Sequence, residues 1–309
     1  MKFLILFFTL INLNVAFSKT FVAPSQIQLQ VLPLYYGSEF LAGYQNHSLK
    51  NEELKNKLFL ILSGGHIKNA NAADTITPSC NTTNLKRIFS RPLSTAGKCI
   101  QHLALGYDKA RRALFGQLYL KKLDNNTYSV TDVYCEKIYT DADFGGALTF
   151  GPGLVPNSGN IINTEHTWPQ SRFTGRFSRD LQKSDLHHLF PTDSEMNARR
   201  GSLRFGNVAR DLENLRCAIN RTGTQAEGGV VFQVPKAQQG NTARAIFYFA
   251  TRYQMKISPS EEKALRVWNI DDPVDAEELS RNQQIETLQG NRNPYVDFTD
   301  LVDRIESFQ

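Results

Sequence analysis

The segment from residue 160 to 202 constrains the fold more than any other, because it changes from extended to helical patterns within a short distance. Residues 160 to 164 and residues 186 to 190 are predicted to be short strands. Thr192 to Glu195 then form a capping box, which predicts the start of a helix that contains Asn197. The predicted order is strand, loop, strand, helix. If the two strands pair, Asn197 comes to lie beside the end of the first strand.

Glu165 and His166 directly follow the first of these strands. A neutral imidazole, with an ordinary pKa of about 6.5, can take a proton from an attacking water molecule. The Glu165 carboxylate and the Asn197 amide oxygen are hard ligands that suit one divalent cation, Mg²⁺ or in its place Mn²⁺ or Ca²⁺. The sequence therefore predicts a single-metal site for phosphodiester hydrolysis, with His166 as the general base.

The first residues have the pattern of an export signal. Lys2 precedes an apolar run from Phe3 to Val15, and residues 16 to 18 provide the small side chains of a cleavage site. The apolar run is too short to cross a hydrocarbon core of about 30 Å. We therefore expect residues 1–18 to be a signal peptide of a secreted or periplasmic protein that has no membrane association after cleavage.

The net charge and the cysteine content fit an exported protein with an anionic partner. The formal charge is +5 and the isoelectric point is near 8.9, a mild positive balance. The four cysteines, an even number, predict one or two disulfides in an oxidising compartment. Four cysteines allow three full pairings. The pairing of Cys80 with Cys99 is favoured weakly, because the entropic cost of closing a loop is small for residues that are near in sequence.

The rest of the chain predicts an α+β protein, with mixed helices and short antiparallel strands around the 160–202 segment. Residues 19–33 are predicted to be an N-terminal arm or a short strand, because Gln alternates with apolar residues there. Residues 66–98 are predicted to be a long irregular connection. The predicted helices are 51–62, 107–120, 243–255, 259–272, 273–290 and a closing helix over 298–308, and the other predicted strands are 128–134 and 229–234. Since no stretch resembles a flexible linker, residues 34–309 are predicted to form a single domain.

Three motifs in this order resemble the endonuclease I family: "EHTWPQSRF" at 165–173, "SDLHHLFPTDSEMNARRG" at 184–201 and "QGNRNPYVDF" at 289–298. The resemblance extends over residues 34–308 and implies a catalytic domain with a ββα-metal (His-Me) finger at 160–202. It implies cleavage of DNA, and often RNA, without marked sequence preference and with 5′-phosphate products. It also makes His166 the base and Glu165 and Asn197 the ligands of one metal ion.

The positions of the arginines and of the adjacent histidines His187 and His188 suggest roles for them. The loop arginines Arg172, Arg176 and Arg179 are candidates for stabilising charge in the transition state, and Arg172 is assigned that role. Arg176, Arg199, Arg200 and Arg204 are assigned to the nucleic-acid backbone. His187 is expected to support the site from inside the finger and His188 to be partly exposed. The expected partners are double- and single-stranded DNA, with RNA as a further substrate, and the expected state is a monomer.

Two alternatives belong to other functional classes. One is a secreted protein that binds nucleic acid without cleaving it. The other is a zinc hydrolase that uses His187 and His188, although adjacent histidines point to opposite sides of a strand. Cleavage of a plasmid with and without a chelator separates the first alternative from a nuclease, and a tightly bound zinc ion would support the second.

Overall fold

The structure is a computed structural model that describes residues 26–80, 97–123, 127–157, 159–213 and 215–309. Its α-helices are α1 (Gln26–Gln45), α2 (Asn51–Ser63), α3 (Tyr107–Ala113), α4 (Arg179–Lys183), α5 (Ser194–Arg200), α6 (Lys236–Arg252), α7 (Pro259–Asp271), α8 (Ala276–Gln289) and α9 (Pro294–Asp297). Short 3₁₀ turns occupy Asp141–Phe144, Gln170–Arg172, Leu186–His188 and Thr299–Val302, and a π turn, Leu114–Leu118, continues α3.

The strands form four small sheets within the described residues. The strands are β1 (Gly65–Ile67), β2 (Thr75–Thr77), β3 (Cys99–Gln101), β4 (Leu120–Lys122), β5 (Tyr128–Thr131), β6 (Ile138–Thr140), β7 (Ile162–His166), β8 (Leu189–Asp193), β9 (Arg204–Phe205), β10 (Arg210–Glu213), β11 (Arg221–Thr224) and β12 (Val230–Gln233). The sheet orders are β2-β1-β3, β4-β5-β6, β7-β8 and β10-β11-β12-β9, and the β12–β9 pair is parallel. The predicted α+β class is confirmed.

The main core forms around α6, a helix that is buried on nearly every side. Its residues Phe247 and Phe249 point to different neighbours: Phe247 packs against Phe308, with ring centroids 4.7 Å apart, and Phe249 stacks on Trp168 at 5.3 Å. Trp168 lies two residues after β7, so this contact joins the end of the β7–β8 hairpin to the core. A second apolar cluster includes Ile162 and Leu189 of the hairpin itself. The hairpin is therefore connected to both apolar clusters.

Several predicted elements are confirmed because their signals are local. The apolar positions of α2 are buried at helical spacing, with Leu54, Leu58 and Ile61 inward, and two glutamates lie in its first turn. α7 begins at Pro259, as the proline signal predicts, and ends before Pro273. β12 lies within the predicted strand 229–234.

Other predictions need correction. Residues 26–33 are helical and do not form a strand. Both Gln and Leu are good helix formers, and the alternation of Gln with apolar residues extends over only a few positions. Residues 1–25 lie outside the described residues. The 66–98 connection contains β1 and β2, which are too short to give a pattern, and residues 81–96 are not described. The closing helix predicted over 298–308 is wrong: the structure has only the 3₁₀ turn Thr299–Val302 there, although the apolar residues Leu301, Ile305 and Phe308 are buried as expected.

The predicted capping box at residues 192–195 is also wrong in detail. At α5 the cap is Asp193, one residue after Thr192, and its Oδ1 accepts the N–H groups of Glu195 (3.0 Å) and Met196 (3.1 Å). An Asp cap satisfies the same free N–H groups as the predicted Thr would, so the helix starts where expected.

The structure contains the favoured Cys80–Cys99 disulfide, and it pairs Cys135 with Cys217.

Within the described residues, no helix has both the length and the hydropathy needed to cross a membrane. Residues of the third motif have structural contacts: Asn293 caps α9, and buried Arg292 pairs with Asp297 at 2.7 Å.

Candidate active site

The β7–β8 hairpin and α5 together bring Glu165, His166 and Asn197 to one cavity of about 260 Å³. In the hairpin, Glu165 lies opposite Phe190 and His166 opposite Leu189. α5 folds back on β7, and the Asn197 amide nitrogen donates to Asn163 Oδ1 (2.7 Å) and to the Thr164 carbonyl (3.3 Å). This arrangement is the one that the strand, loop, strand, helix order predicts.

The Asn197 side chain is oriented by these two contacts. A carbonyl oxygen can only accept a hydrogen bond, so the atom that faces the Thr164 carbonyl must be the NH₂ group. The Asn197 oxygen is then left to face the cavity. Asn163 lies two residues before Glu165 on the same side of β7, and this spacing is a signal for its role that sequence reasoning missed.

The Glu165 carboxylate is buried and held from two directions. Its Oε1 accepts the Tyr134 hydroxyl and pairs with Arg200 Nη1, both at 2.8 Å. Burial raises the pKa of the Glu165 carboxyl, while Arg200, the Tyr134 hydroxyl and the His166 backbone N–H act in the opposite direction. With one oxygen fixed in this way, the orientation of the carboxylate toward the cavity is set before any ligand binds.

Arg200 is buried, which does not fit its predicted role at the nucleic-acid backbone. Besides Glu165, its guanidinium donates to the carbonyls of His166 (2.9 Å) and Thr167 (2.5 Å) and lies over the Phe205 ring. The side chain therefore ties the end of β7 to α5. Its neighbour Arg199 is exposed and pairs with Glu213 at 3.0 Å.

His166 is buried and held as one tautomer. Its Nε2 lies 3.1 Å from the Lys183 carbonyl, and because that oxygen can only accept, Nε2 must carry the proton. Nδ1 then has the free lone pair and lies 3.4 Å from the Gln170 side-chain nitrogen. Burial lowers the pKa of His166 well below its usual value, and the nearby His188 ring acts in the same direction. The imidazole is thus neutral at neutral pH, the state that a general base needs.

The Glu165 and Asn197 oxygens are a suitable set for a hard divalent cation. Both residues line the same cavity as His166. Oxygen ligands from one carboxylate and one amide suit Mg²⁺, which usually keeps several water ligands and uses few protein groups. The residues present thus fit the predicted cation.

The two histidines of the second motif are placed differently from the prediction. His188, expected to be partly exposed, is fully buried, and its ring centroid lies 5.3 Å from that of His166. His187 points away from the cavity: its Nε2 lies 3.1 Å from the Asn291 carbonyl and its ring packs on Tyr248. His188 Nε2 bonds instead to the Gln182 carbonyl at 2.8 Å. The two rings do not converge on one point, as a zinc site built on them would require.

The remaining predicted arginines have different partners and are not among the residues that line the cavity. Arg172 donates to the Ser202 carbonyl, and its guanidinium is 3.9 Å from Glu261, to which Arg204 is also paired at 3.0 Å. Arg176 is exposed and lies beside the Phe177 ring. The roles of these arginines stay predictions. Sequence reasoning gave no signal for Tyr134, which is 31 residues from its partner Glu165.

Comparison with known proteins supports the family resemblance that the three sequence motifs indicate. Residues 100–300, more than half of the chain, match the endonuclease I family. An extracellular ribonuclease of Bacillus amyloliquefaciens is 27% identical over 255 residues, which are 74% of this chain and 80% of that protein. An extracellular ribonuclease of Bacillus subtilis (strain 168) is 30% identical over 170 residues, 48% of this chain and 56% of that protein. A periplasmic deoxyribonuclease of Aeromonas hydrophila is 29% identical over 117 residues, 37% of this chain and 48% of that protein. The chain therefore belongs to the endonuclease I family and is an exported endonuclease, secreted or periplasmic.

Proposed function

We propose that the protein is a metal-dependent, non-specific nuclease that hydrolyses the phosphodiester bonds of DNA and RNA and leaves 5′-phosphate ends. The observation that carries the proposal is the common cavity of His166, Glu165 and Asn197, in which the histidine has its lone pair, and not its proton, on Nδ1. RNA is included because two relatives with long matches are named extracellular ribonucleases.

In this proposal, His166 Nδ1 takes a proton from the attacking water, a role that contributes about 10² to 10⁴ in rate. The Lys183 carbonyl accepts from Nε2 and stabilises the imidazolium that forms. Glu165 and Asn197 would hold one Mg²⁺, Mn²⁺ or Ca²⁺ ion, which neutralises charge on the phosphate and on the leaving oxygen when bound. Tyr134 and Arg200 keep the Glu165 carboxylate in position, which limits the reorganisation needed for binding.

Arg172, Arg176, Arg199 and Arg204 are proposed to contact the nucleic-acid backbone, with Arg172 nearest to the reacting phosphate. In the structure three of these arginines lie beside carboxylates. Arg172 and Arg204 lie near Glu261, and Arg199 lies beside Glu213. These contacts are partly exposed, so a phosphate can compete for the guanidinium groups. Because such binding depends on counterion release, nucleic-acid affinity should fall steeply with salt.

The test is cleavage of supercoiled plasmid and of single-stranded RNA by the purified protein, with Mg²⁺, Mn²⁺ or Ca²⁺ and with EDTA. We expect cleavage of both substrates that EDTA abolishes. His166→Ala should reduce cleavage at least about a hundredfold while DNA affinity stays nearly unchanged, because the general base is removed but the backbone contacts remain. Intact plasmid with all three cations would refute the function, and near-normal turnover of His166→Ala would remove this residue as the base.

A further inference from the structure

Gln170 links the base to an exposed arginine. Its side-chain nitrogen lies 3.4 Å from His166 Nδ1, and its side-chain oxygen accepts from Arg179 Nη2 at 3.2 Å. Arg179 Nη1 also donates to the Gln170 backbone carbonyl at 3.4 Å. Gln170 begins the 3₁₀ turn after β7, and Arg179 is the first residue of α4, so the pair spans the loop between the two catalytic motifs.

The direction of each hydrogen bond in this link is fixed by chemistry. A guanidinium has only donors, so the Gln170 atom that faces Arg179 must be the oxygen. The NH₂ group of Gln170 then faces His166. Nδ1 must accept from it, which agrees with the proton on Nε2 that the Lys183 carbonyl requires. The contacts from Lys183 and from Gln170 thus select the same tautomer.

The consequence is that the Gln170 amide occupies the lone pair that an attacking water molecule needs. A neutral imidazole nitrogen has one lone pair, which cannot serve the amide and a water proton at the same time. The contact is longer than an ordinary N–H hydrogen bond, so it is weak and can be displaced. In the structure the base is therefore capped.

Arg179 is placed to control this cap. It is exposed, and within the part of the chain that the structure describes no carboxylate pairs with it. Its acceptors here are the two neutral oxygens of Gln170, both at long distance. A phosphate oxygen forms shorter, charge-assisted bonds with a guanidinium, roughly twice as strong as neutral ones. A phosphate that reaches Arg179 will therefore draw it away from Gln170.

We propose that Gln170 is a removable cap on His166 Nδ1, that Arg179 holds the cap in the free enzyme, and that a backbone phosphate releases it by taking Arg179. The pair then determines specificity: a polynucleotide supplies a neighbouring phosphate that opens the site, and a small phosphodiester does not. The inference rests on the proposed function in taking His166 as the base.

The kinetic test compares wild type and Gln170→Ala on bis(p-nitrophenyl) phosphate and on a duplex DNA oligonucleotide, both with Mg²⁺. Without the cap, kcat/KM for the small diester should rise by at most about fivefold, the factor equivalent to one ordinary net hydrogen bond, while that for the duplex should not rise. Arg179→Ala should also raise the rate on the small diester, because the cap loses its anchor, but should lower kcat/KM on the duplex. Gln284→Ala, which removes the same side chain from α8, should change neither.

A second measurement needs no turnover. In protein with ¹⁵N-labelled histidine and EDTA present, the His166 Nδ1 resonance should shift in Gln170→Ala. Inorganic phosphate should move the wild-type resonance in the same direction but should have little effect in Arg179→Ala. An Nδ1 resonance that is identical in wild type and Gln170→Ala, or a small-diester rate that falls in that variant, overturns the cap. Because the spectra do not depend on cleavage, they judge the cap even if the protein proves inactive on nucleic acid.

Discussion

Removal of the Tyr134 hydroxyl is a direct test of how Glu165, the proposed metal ligand, is held. In Tyr134→Phe the ring stays and only the 2.8 Å hydrogen bond to Glu165 is lost. Both side chains are buried, so water cannot replace the donor. A hydrogen bond to a charged group contributes about 1.5–3 kcal/mol, and full burial favours the upper half of that range. We expect the unfolding free energy of the metal-free protein to fall by about 2–3 kcal/mol.

The chain contains a matched control. Buried Tyr36 donates to Asp297, which is also paired with Arg292, so the two sites share the order tyrosine, carboxylate, arginine. Tyr36→Phe should therefore lose a similar free energy of unfolding, because the chemistry removed is the same. Only Tyr134→Phe should change the Mg²⁺ concentration needed for half-maximal cleavage, because only Glu165 lines the cavity.

The assay is urea unfolding with EDTA, followed by plasmid cleavage over a range of Mg²⁺ concentrations. The slope of the unfolding free energy against urea should stay the same in both variants, so that the midpoint alone reports stability. If Tyr134→Phe lowers the unfolding free energy by less than about 0.5 kcal/mol, the hydrogen bond does not have its assigned strength. If both variants shift the Mg²⁺ response equally, Tyr134 acts through general stability and not through Glu165.

Three further predictions concern stability and the α5 cap. Burial lowers the pKa of His102 to about 4 and that of His187 to about 3, against about 6.5 in an unfolded chain. The unfolded state therefore binds protons first as the pH falls. Each histidine should lower the free energy of unfolding by about 1.4 kcal/mol per pH unit between about pH 6.5 and its folded pKa. Urea unfolding at pH 7, 6 and 5 measures this loss, and a free energy of unfolding that does not change with pH would contradict the buried neutral rings. Replacing Cys135 and Cys217 by Ser should lower the unfolding free energy by about 4 kcal/mol, because the disulfide closes a long loop, and a loss below about 1 kcal/mol would argue against that pairing. Asp193→Ala should cost about 1–2 kcal/mol through the lost helix cap and should reduce cleavage, because α5 carries Asn197; full activity would show that the cap does not position this ligand.

The catalytic segment could be predicted from sequence because its signals are local. Glu165 and His166 are neighbours on one strand, and an Asp or Thr cap starts a helix at nearly the same residue, which places Asn197 on its first turns. The Cys80–Cys99 pairing was accessible for a similar reason, since short loops close at low entropic cost. Where the local signal was weak, as in residues 298–308, burial was predicted correctly and the helix was not.

Local sequence signals could not predict the direction in which a charged side chain points. Arg199 and Arg200 are adjacent and identical in type, yet one is exposed and the other is buried against Glu165. Successive residues on a helix differ in direction by about 100°, so the choice depends on which side of α5 meets β7. The packing of α5 against the β7–β8 hairpin makes that choice, because it turns Arg200 toward Glu165.

The sequence by itself determined which groups could form the proposed site: a histidine and a carboxylate on a short strand, and an amide on a short helix. Only the tertiary structure decided how they are held. Tyr134 reaches Glu165 from the turn between β5 and β6, 31 residues away along the chain, and Arg179 reaches His166 through Gln170 across a loop. No spacing rule relates the partners in these contacts, because burial and hydrogen-bond satisfaction are properties of the packed chain as a whole.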